Sequence, residues 1–201
     1  MKALPKPLAE MVGELSSLPG LGPKSALRVA LTLLKWPKER TQLLGRAVHD
    51  LRENLFLCSG CAGLAESDPC PICADPARNV ESLCLVSEWD SMLALEETGL
   101  YKGRYVILGG LISPLDGVDP SSLEIERVRR RLAEGVVREV ILALGTTLEA
   151  EATASYLKNM VERDHPGVRL TRLAQGIPLG AEVKYVDKET LKQSMVHRQD
   201  L

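Results

Sequence analysis

Aromatic side chains are scarce: one Phe, two Trp and four Tyr in 201 residues. A stacking platform for single-stranded bases is therefore poorly supplied. The opening Met-Lys-Ala-Leu-Pro-Lys-Pro is followed by no long apolar run, which argues against a signal peptide. No stretch approaches the length of a membrane span. A Gly-x-x-x-x-Gly-Lys phosphate loop is missing, and no tyrosine lies in a topoisomerase-like context. What remains is ordinary globular composition, 45% hydrophobic and 26% charged, enough for one large domain or two small ones.

Four of the five cysteines fall in one short stretch, Cys58-Ser-Gly-Cys61 and Cys70-Pro-Ile-Cys73. Two Cys-x-x-Cys knuckles at this separation can wrap one tetrahedral Zn²⁺ through four thiolates, Cys58, Cys61, Cys70 and Cys73. Four thiolates close the shell, so the metal is expected to be a structural staple, one per chain, with no position for water or substrate. Gly60 and Gly63 are expected to let the chain fold back, and Pro69 and Pro71 to stiffen the second knuckle. Thiols used this way fit a reducing cytoplasm. Cys84, in an apolar strand-like run, reads as a buried thiol.

The net charge of −2 hides an asymmetry. Residues 1–56 carry nine Lys/Arg against five Asp/Glu, a local +4, whereas the remaining 16 and 22 give −6. An anionic polymer would be met by the first quarter. There, Leu8, Met11, Val12 and Leu15 mark one helical face. Leu18-Pro-Gly-Leu-Gly-Pro-Lys-Ser25 follows, a tight turn leading into a second helix whose first turn suits Pro23. Its apolar face is expected to be Leu27, Ala30 or Leu31, and Leu34. Lys24, Arg28 and Lys35 lie opposite. Helix, Gly-x-Gly turn, helix with basic residues just beyond resembles a helix–hairpin–helix motif. Such a motif holds backbone phosphate without reading bases, through Gly20, Gly22, Lys24, Ser25 and Arg28. A third helix is expected over Thr41–Leu55 with Leu43, Leu44, Ala47, Val48, Leu51 and Leu55 inward, and His49 beside that stripe as a packing or surface residue.

Beyond the cysteines, strands (Leu83–Ser87, Tyr105–Gly109, Glu139–Leu144, Val168–Ala174) alternate with helices (Asp90–Thr98, Glu124–Glu134, Glu149–Arg163). This predicts a mostly parallel sheet with helices on both faces. Ligand chemistry in such sheets sits at strand carboxyl ends, where Glu88, Glu149 and Glu151 fall. Paired carboxylates there can hold Mg²⁺, although Glu149 and Glu151 equally suit a helix N-terminus.

Taken in order, several pieces resemble the RecR family of bacterial recombination mediators. They are Leu18–Ser25, the four cysteines, Glu96-Glu-Thr-Gly99, Leu108-Gly-Gly-Leu-Ile-Ser-Pro-Leu-Asp-Gly117, Glu149-Ala-Glu-Ala-Thr153 and Gly176-Ile-Pro-Leu-Gly180, with Asp187 and Thr190-Leu191. The resemblance implies an α+β multidomain chain. Its segments would be a helical helix–hairpin–helix N-terminal domain (1–56), a small Cys₄ zinc finger (57–79), an α/β Toprim domain with a mostly parallel sheet (80–175) and a short C-terminal oligomerisation tail (176–201). It implies a ring-like homotetramer that clamps gapped or duplex DNA without sequence preference. It also implies action with RecO and RecF in loading RecA at single-stranded gaps, in the cytoplasm at the nucleoid. Glu149 and Glu151 would then serve a partner such as RecO. This chain departs from the family where a Toprim glutamate and aspartate are usual: it has Ser87 and Ser91, with Glu88 one place out of phase, and Ala150 for a glycine. One residue of slip in a strand faces the opposite side. A non-catalytic reading is therefore favoured over the alternative, a Mg-dependent Toprim nuclease or phosphotransferase.

Overall fold

The structure, a computed structural model, describes residues 4–198. Lys2 of the basic count and the last three residues of the tail lie outside it. The chain divides into two compact units, residues 1–55 and 56–201.

The first unit is helical. Helix α1 (Lys6–Ser16) and α2 (Pro23–Leu33) pack on one another, each opened by a proline in its first turn. Helix α3 (Lys38–Asp50) starts after Pro37. It thus begins and ends earlier than the apolar periodicity suggests, and residues 51–53 form a turn. Two expectations are corrected here. In α2 the covered residues are Ala26 and the expected Ala30, with Leu27 half-buried, while Leu31 and the C-cap Leu34 stand exposed. Small residues let the α1 backbone come close, and the larger leucines lie off that line. In α3 no residue is buried, and Leu43, Leu44, Ala47, Val48 and Leu51 are all exposed. Periodicity identifies an apolar face but not what covers it.

The second unit opens with a two-stranded ribbon, β1 (Phe56–Leu57) and β2 (Leu64–Ala65), and a single turn of helix, α4 (Pro71–Ala74). A four-stranded sheet follows, made of β3 (Asn79–Val86), β4 (Gly103–Ile107), β5 (Glu139–Ala143) and β6 (Arg169–Arg172). Helix α5 (Trp89–Glu97) lies between β3 and β4, α6 (Ile125–Ala133) between β4 and β5, and α7 (Leu148–Asp164) between β5 and β6. The strand order is β4-β3-β5-β6, and every pairing is parallel. Side-chain alternation sorts the sheet into two faces. Leu83, Leu85, Val106, Leu108, Val140 and Leu142 pack with Val128 and Leu132 of α6 and Leu157 and Val161 of α7. Cys84, Val86, Tyr105 and Ile107 pack with Met92 and Leu95 of α5. Helices thus cover both faces, as crossover connections between parallel strands require. Helix α8 (Lys188–Val196), capped by the Asp187 carboxylate on the Thr190 N–H at 2.9 Å, forms the tail. The α+β multidomain organisation read from the sequence is the one observed.

Candidate metal centre and nucleic-acid interface

The four knuckle cysteines converge: the sulfurs of Cys58, Cys61, Cys70 and Cys73 all lie within 4.8 Å of one another, and all four residues are buried. The local backbone explains the cage. The Cys58 N–H donates to the Gly63 carbonyl at 2.8 Å, and the Ala62 N–H returns to the Cys58 carbonyl at 2.9 Å. Backbone N–H groups of Gly60 and Cys70 point at Cys58 Sγ (3.4 and 3.3 Å), that of Gly63 at Cys61 Sγ (3.3 Å) and that of Cys73 at Cys70 Sγ (3.3 Å). Such donors stabilise thiolate. The protons are unevenly shared within the cage. The hydrogen bond from Cys61 pulls the Cys73 thiol down to about 5, and the same interaction with burial pushes Cys61 upward. Four sulfurs packed this tightly suit a dication in place of the protons.

Gly60 and Gly63 do not owe their place to left-handed backbone. A Cβ on Gly60 would lie 2.6 Å from Arg131 Nη2 and 2.9 Å from Cys73 Sγ, and one on Gly63 would lie 3.1 Å from Cys61 Sγ. Close approach to the cage is the reason for both.

The cage is fastened to the sheet domain by residues that the spacing of cysteines does not reveal. The Ile107 N–H, on the edge strand β4, donates to the Cys61 carbonyl at 2.8 Å. Arg127 of α6 donates to the carbonyls of Cys58 (3.1 Å) and Ser59, and Arg131 to that of Gly60 (3.2 Å), with its Nη2 4.0 Å from Cys73 Sγ. Arg127 and Arg131 are one helical turn apart and nearly buried, which puts both on the stripe facing the knuckles. The exit is held as well. Arg78 donates to both oxygens of Glu96 (2.8 Å from Nη1 to Oε1, with Nη2 on Oε2) and to the Gly103 carbonyl at 3.1 Å.

In the helical unit, Gly20 adopts φ +78°, a left-handed conformation that favours glycine, and Leu21 N–H donates to the Leu18 carbonyl at 3.1 Å. Gly22 is different. It caps α2 at φ −75°, which any residue tolerates, and a Cβ there would meet nothing within 4 Å. Lys24 and Arg28 are exposed, Ser25 is half-buried, and neither cation has an ion-pair partner among the described residues. His49 is exposed; with Asp50 and Glu53 it forms an exposed polar cluster on and just past α3.

The three acids at the strand ends do not assemble into a metal cage. Among the described residues, the groups of three or more metal-ligating side chains are the four cysteines and the His49 cluster. Glu88 is exposed at the start of α5. Glu151 is held by Arg172 of β6, with Nη2 to Oε1 at 2.6 Å and Nη1 to Oε2 at 3.2 Å; Arg172 keeps its carboxyl below the usual range. Glu149 is exposed and contributes its main-chain carbonyl to the Thr153 hydroxyl at 2.7 Å. Thr153, fully buried, also accepts the Ile112 N–H at 2.8 Å, tying the loop after β4 to α7. Cys84 is a buried thiol, pushed up to about 12 by desolvation.

A helical unit with a Gly-x-Gly hairpin, a buried Cys₄ cage and a parallel Toprim-like sheet define an α+β multidomain protein. Family models match in the same order: RecR, helix-hairpin-helix over residues 8–52, Toprim domain over 81–174, and RecR, C-terminal over 176–199. Recombination protein RecR of Nitratidesulfovibrio vulgaris is 65% identical over 201 residues, the whole of both chains. That of Maridesulfovibrio salexigens is 61% identical over the same span, and that of Geobacter metallireducens 44% over 96% of each chain. The chain belongs to the RecR family.

Proposed function

We propose that the protein is a non-catalytic DNA-binding mediator of recombinational DNA repair, acting with RecO and RecF to load RecA at single-stranded gaps in the bacterial cytoplasm. The observation that carries the reading is the hairpin. Gly20 requires its glycine for the turn, whereas Gly22 has neither a conformational nor an internal steric reason to lack a side chain. Close approach of an outside backbone supplies one. A phosphate seated on the N–H groups at the start of α2 would meet Gly20, Gly22, Ser25 and the unpaired cations Lys24 and Arg28. Contacts of this kind ignore sequence and weaken with salt.

One hairpin holds few phosphates, so useful affinity needs several copies. The exposed apolar face of α3 (Leu43, Leu44, Val48, Leu51) and the exposed Tyr185, Met195 and Val196 of the tail support a homo-oligomer, for which a tetramer is the working state. The working division is helix–hairpin–helix domain 1–56, zinc finger 57–79, Toprim domain 80–175 and oligomerisation tail 176–201. Zn²⁺ is the metal suited to four thiolates, and it acts as a structural staple of the knuckles, which are fastened to the sheet. Glu149, exposed at the start of α7, and Glu151, half-buried and paired with Arg172, are the carboxylates offered to a partner such as RecO. A Mg²⁺-dependent nuclease is disfavoured because Glu151 is already neutralised by Arg172 and Ser87 stands where a ligand would be needed.

The test is an anisotropy titration of labelled gapped duplex in Mg²⁺ across a salt series, followed by a denaturing gel. Salt-sensitive binding with intact strands, weakened at least tenfold by Lys24→Ala/Arg28→Ala, is expected. Cut strands, or unchanged affinity of the double variant, would overturn the reading.

A further inference from the structure

Helix α6 turns a stripe of basic residues toward the zinc knuckles, and a cleft of about 400 Å³ opens between them. Four guanidinium groups line it: Arg104 from β4 and Arg127, Arg130 and Arg131 from α6. Two have structural employment. Arg127 is paired with Glu124 (2.9 Å) and holds the Cys58 and Ser59 carbonyls. Arg131 is paired with Glu134 (3.2 Å), holds the Gly60 carbonyl and faces the Cys73 sulfur. Glu134 also lines the cleft, and Asp68 lies near Arg127, accepting the Ser59 N–H at 2.8 Å. The carboxylates and the anionic cage thus answer Arg127 and Arg131.

Arg104 and Arg130 are left over. Among the described residues neither has a carboxylate partner or a side-chain hydrogen bond. Arg130 is exposed at the mouth. Arg104 shares strand parity with Val106 and Leu108, so it projects from β4 on the face that α6 covers. Its Nε is buried with no acceptor. A buried guanidinium N–H without a partner is costly; no described group of this chain supplies the acceptor, and the Arg104 side chain borders the cleft.

We propose that Arg104 and Arg130 form a second phosphate clamp of this protein, taking the phosphodiester backbone of DNA in the cleft between the zinc knuckles and α6. The inference rests on the DNA-binding reading above and extends it from the helical unit to the sheet unit. Planar guanidinium forks match paired phosphate oxygens. The scarcity of aromatic residues leaves the phosphates, rather than stacked bases, as the available handle on DNA. Gly60 at the cleft wall keeps the floor open, since no side chain fits there.

The experiment compares wild type, Arg104→Gln/Arg130→Gln and Lys24→Ala/Arg28→Ala on labelled gapped duplex across a salt series, with zinc content measured for each. The Arg104→Gln/Arg130→Gln protein is expected to keep its zinc, to bind roughly three- to tenfold more weakly, and to show a salt slope shallower by about 1–2. In parallel, wild-type protein is treated with phenylglyoxal with and without DNA and the modified arginines are mapped by mass spectrometry; DNA is expected to protect Arg104 and Arg130. Unchanged affinity and slope at full zinc content, or no protection, would overturn the clamp. So would protection by poly-glutamate but not by DNA, which would make the cleft a site for an acidic peptide. Loss of binding in the Lys24→Ala/Arg28→Ala protein alone removes only the clamp. Failure of the wild type to bind DNA removes the DNA-binding reading itself and the clamp with it.

Discussion

Arg78 grips Glu96 with both arms of its guanidinium, and so joins the segment leaving the zinc knuckles to helix α5 eighteen residues on. Both side chains are largely covered, at 11% and 23% exposure. Removing one partner strands the other. Arg78→Ala is expected to lower stability by about 2–3 kcal/mol, somewhat under the ~3–5 kcal/mol for a fully buried pair. Urea unfolding with zinc present checks this; a change below about 0.5 kcal/mol would show the pair to be ornamental to folding.

The same pair sets an acid dependence. The hydrogen bonds from Arg78 hold the Glu96 carboxyl below its ordinary value. A depressed carboxylate contributes stability that is complete above the unfolded value and is lost as pH falls through the folded one. Stability should therefore decline below about pH 4.3 in part through this group. Glu96→Gln should flatten that part of the profile while lowering stability at neutral pH.

Metal retention should depend on α6. One Zn²⁺ per chain with four sulfur ligands is expected, read by elemental analysis and by the spectrum of the Co²⁺-substituted protein. Arg127→Ala removes the donor to the carbonyls of Cys58 and Ser59. It should weaken metal binding about tenfold, as loss of a residue that positions a ligand does. A chelator titration that does not separate the variant from wild type would refute this.

Thr153, itself fully buried, bridges two main-chain groups, the Ile112 N–H and the Glu149 carbonyl. Thr153→Val keeps the shape but leaves the Ile112 N–H unpaired, at a cost of about 1–3 kcal/mol. Thr153→Ser should recover most of it. Equal stability of the Val and Ser proteins would mean the loop after β4 finds another acceptor.

The α3 face offers a test of assembly. Leu43→Glu/Val48→Glu alters two exposed positions and should barely change the stability of one chain, yet should shift light-scattering mass toward smaller species. An unchanged mass would clear α3 of any part in association. On α7, Glu149→Lys/Glu151→Lys should abolish co-binding of RecO measured by pull-down. The lost Glu151–Arg172 pair is half exposed and is worth under about 1 kcal/mol.

Whatever depends on neighbours in sequence was legible before the fold was known. The Cys-x-x-Cys pairs close a cage because each knuckle is a local turn, and the Gly-x-Gly hairpin is likewise set within six residues. Apolar runs and helical spacing marked the strands and helices, and their alternation the parallel sheet. Tertiary structure alone decided what those elements face. The leucines of α3 read as core and stand exposed, because a hydrophobic stripe does not specify its cover. Arg127, Arg130 and Arg131 fall on the helix expected over Glu124–Glu134, whose spacing gives them no role. Only the crossover from β4 to β5 brings them against knuckles some seventy residues earlier and beside Arg104. Glu151 likewise read as a metal-ligand candidate until the pairing of β6 with β5 set Arg172 opposite it. Local chemistry follows from spacing along the chain; partners far apart in sequence are chosen by the packing of helices on a sheet, which spacing does not encode.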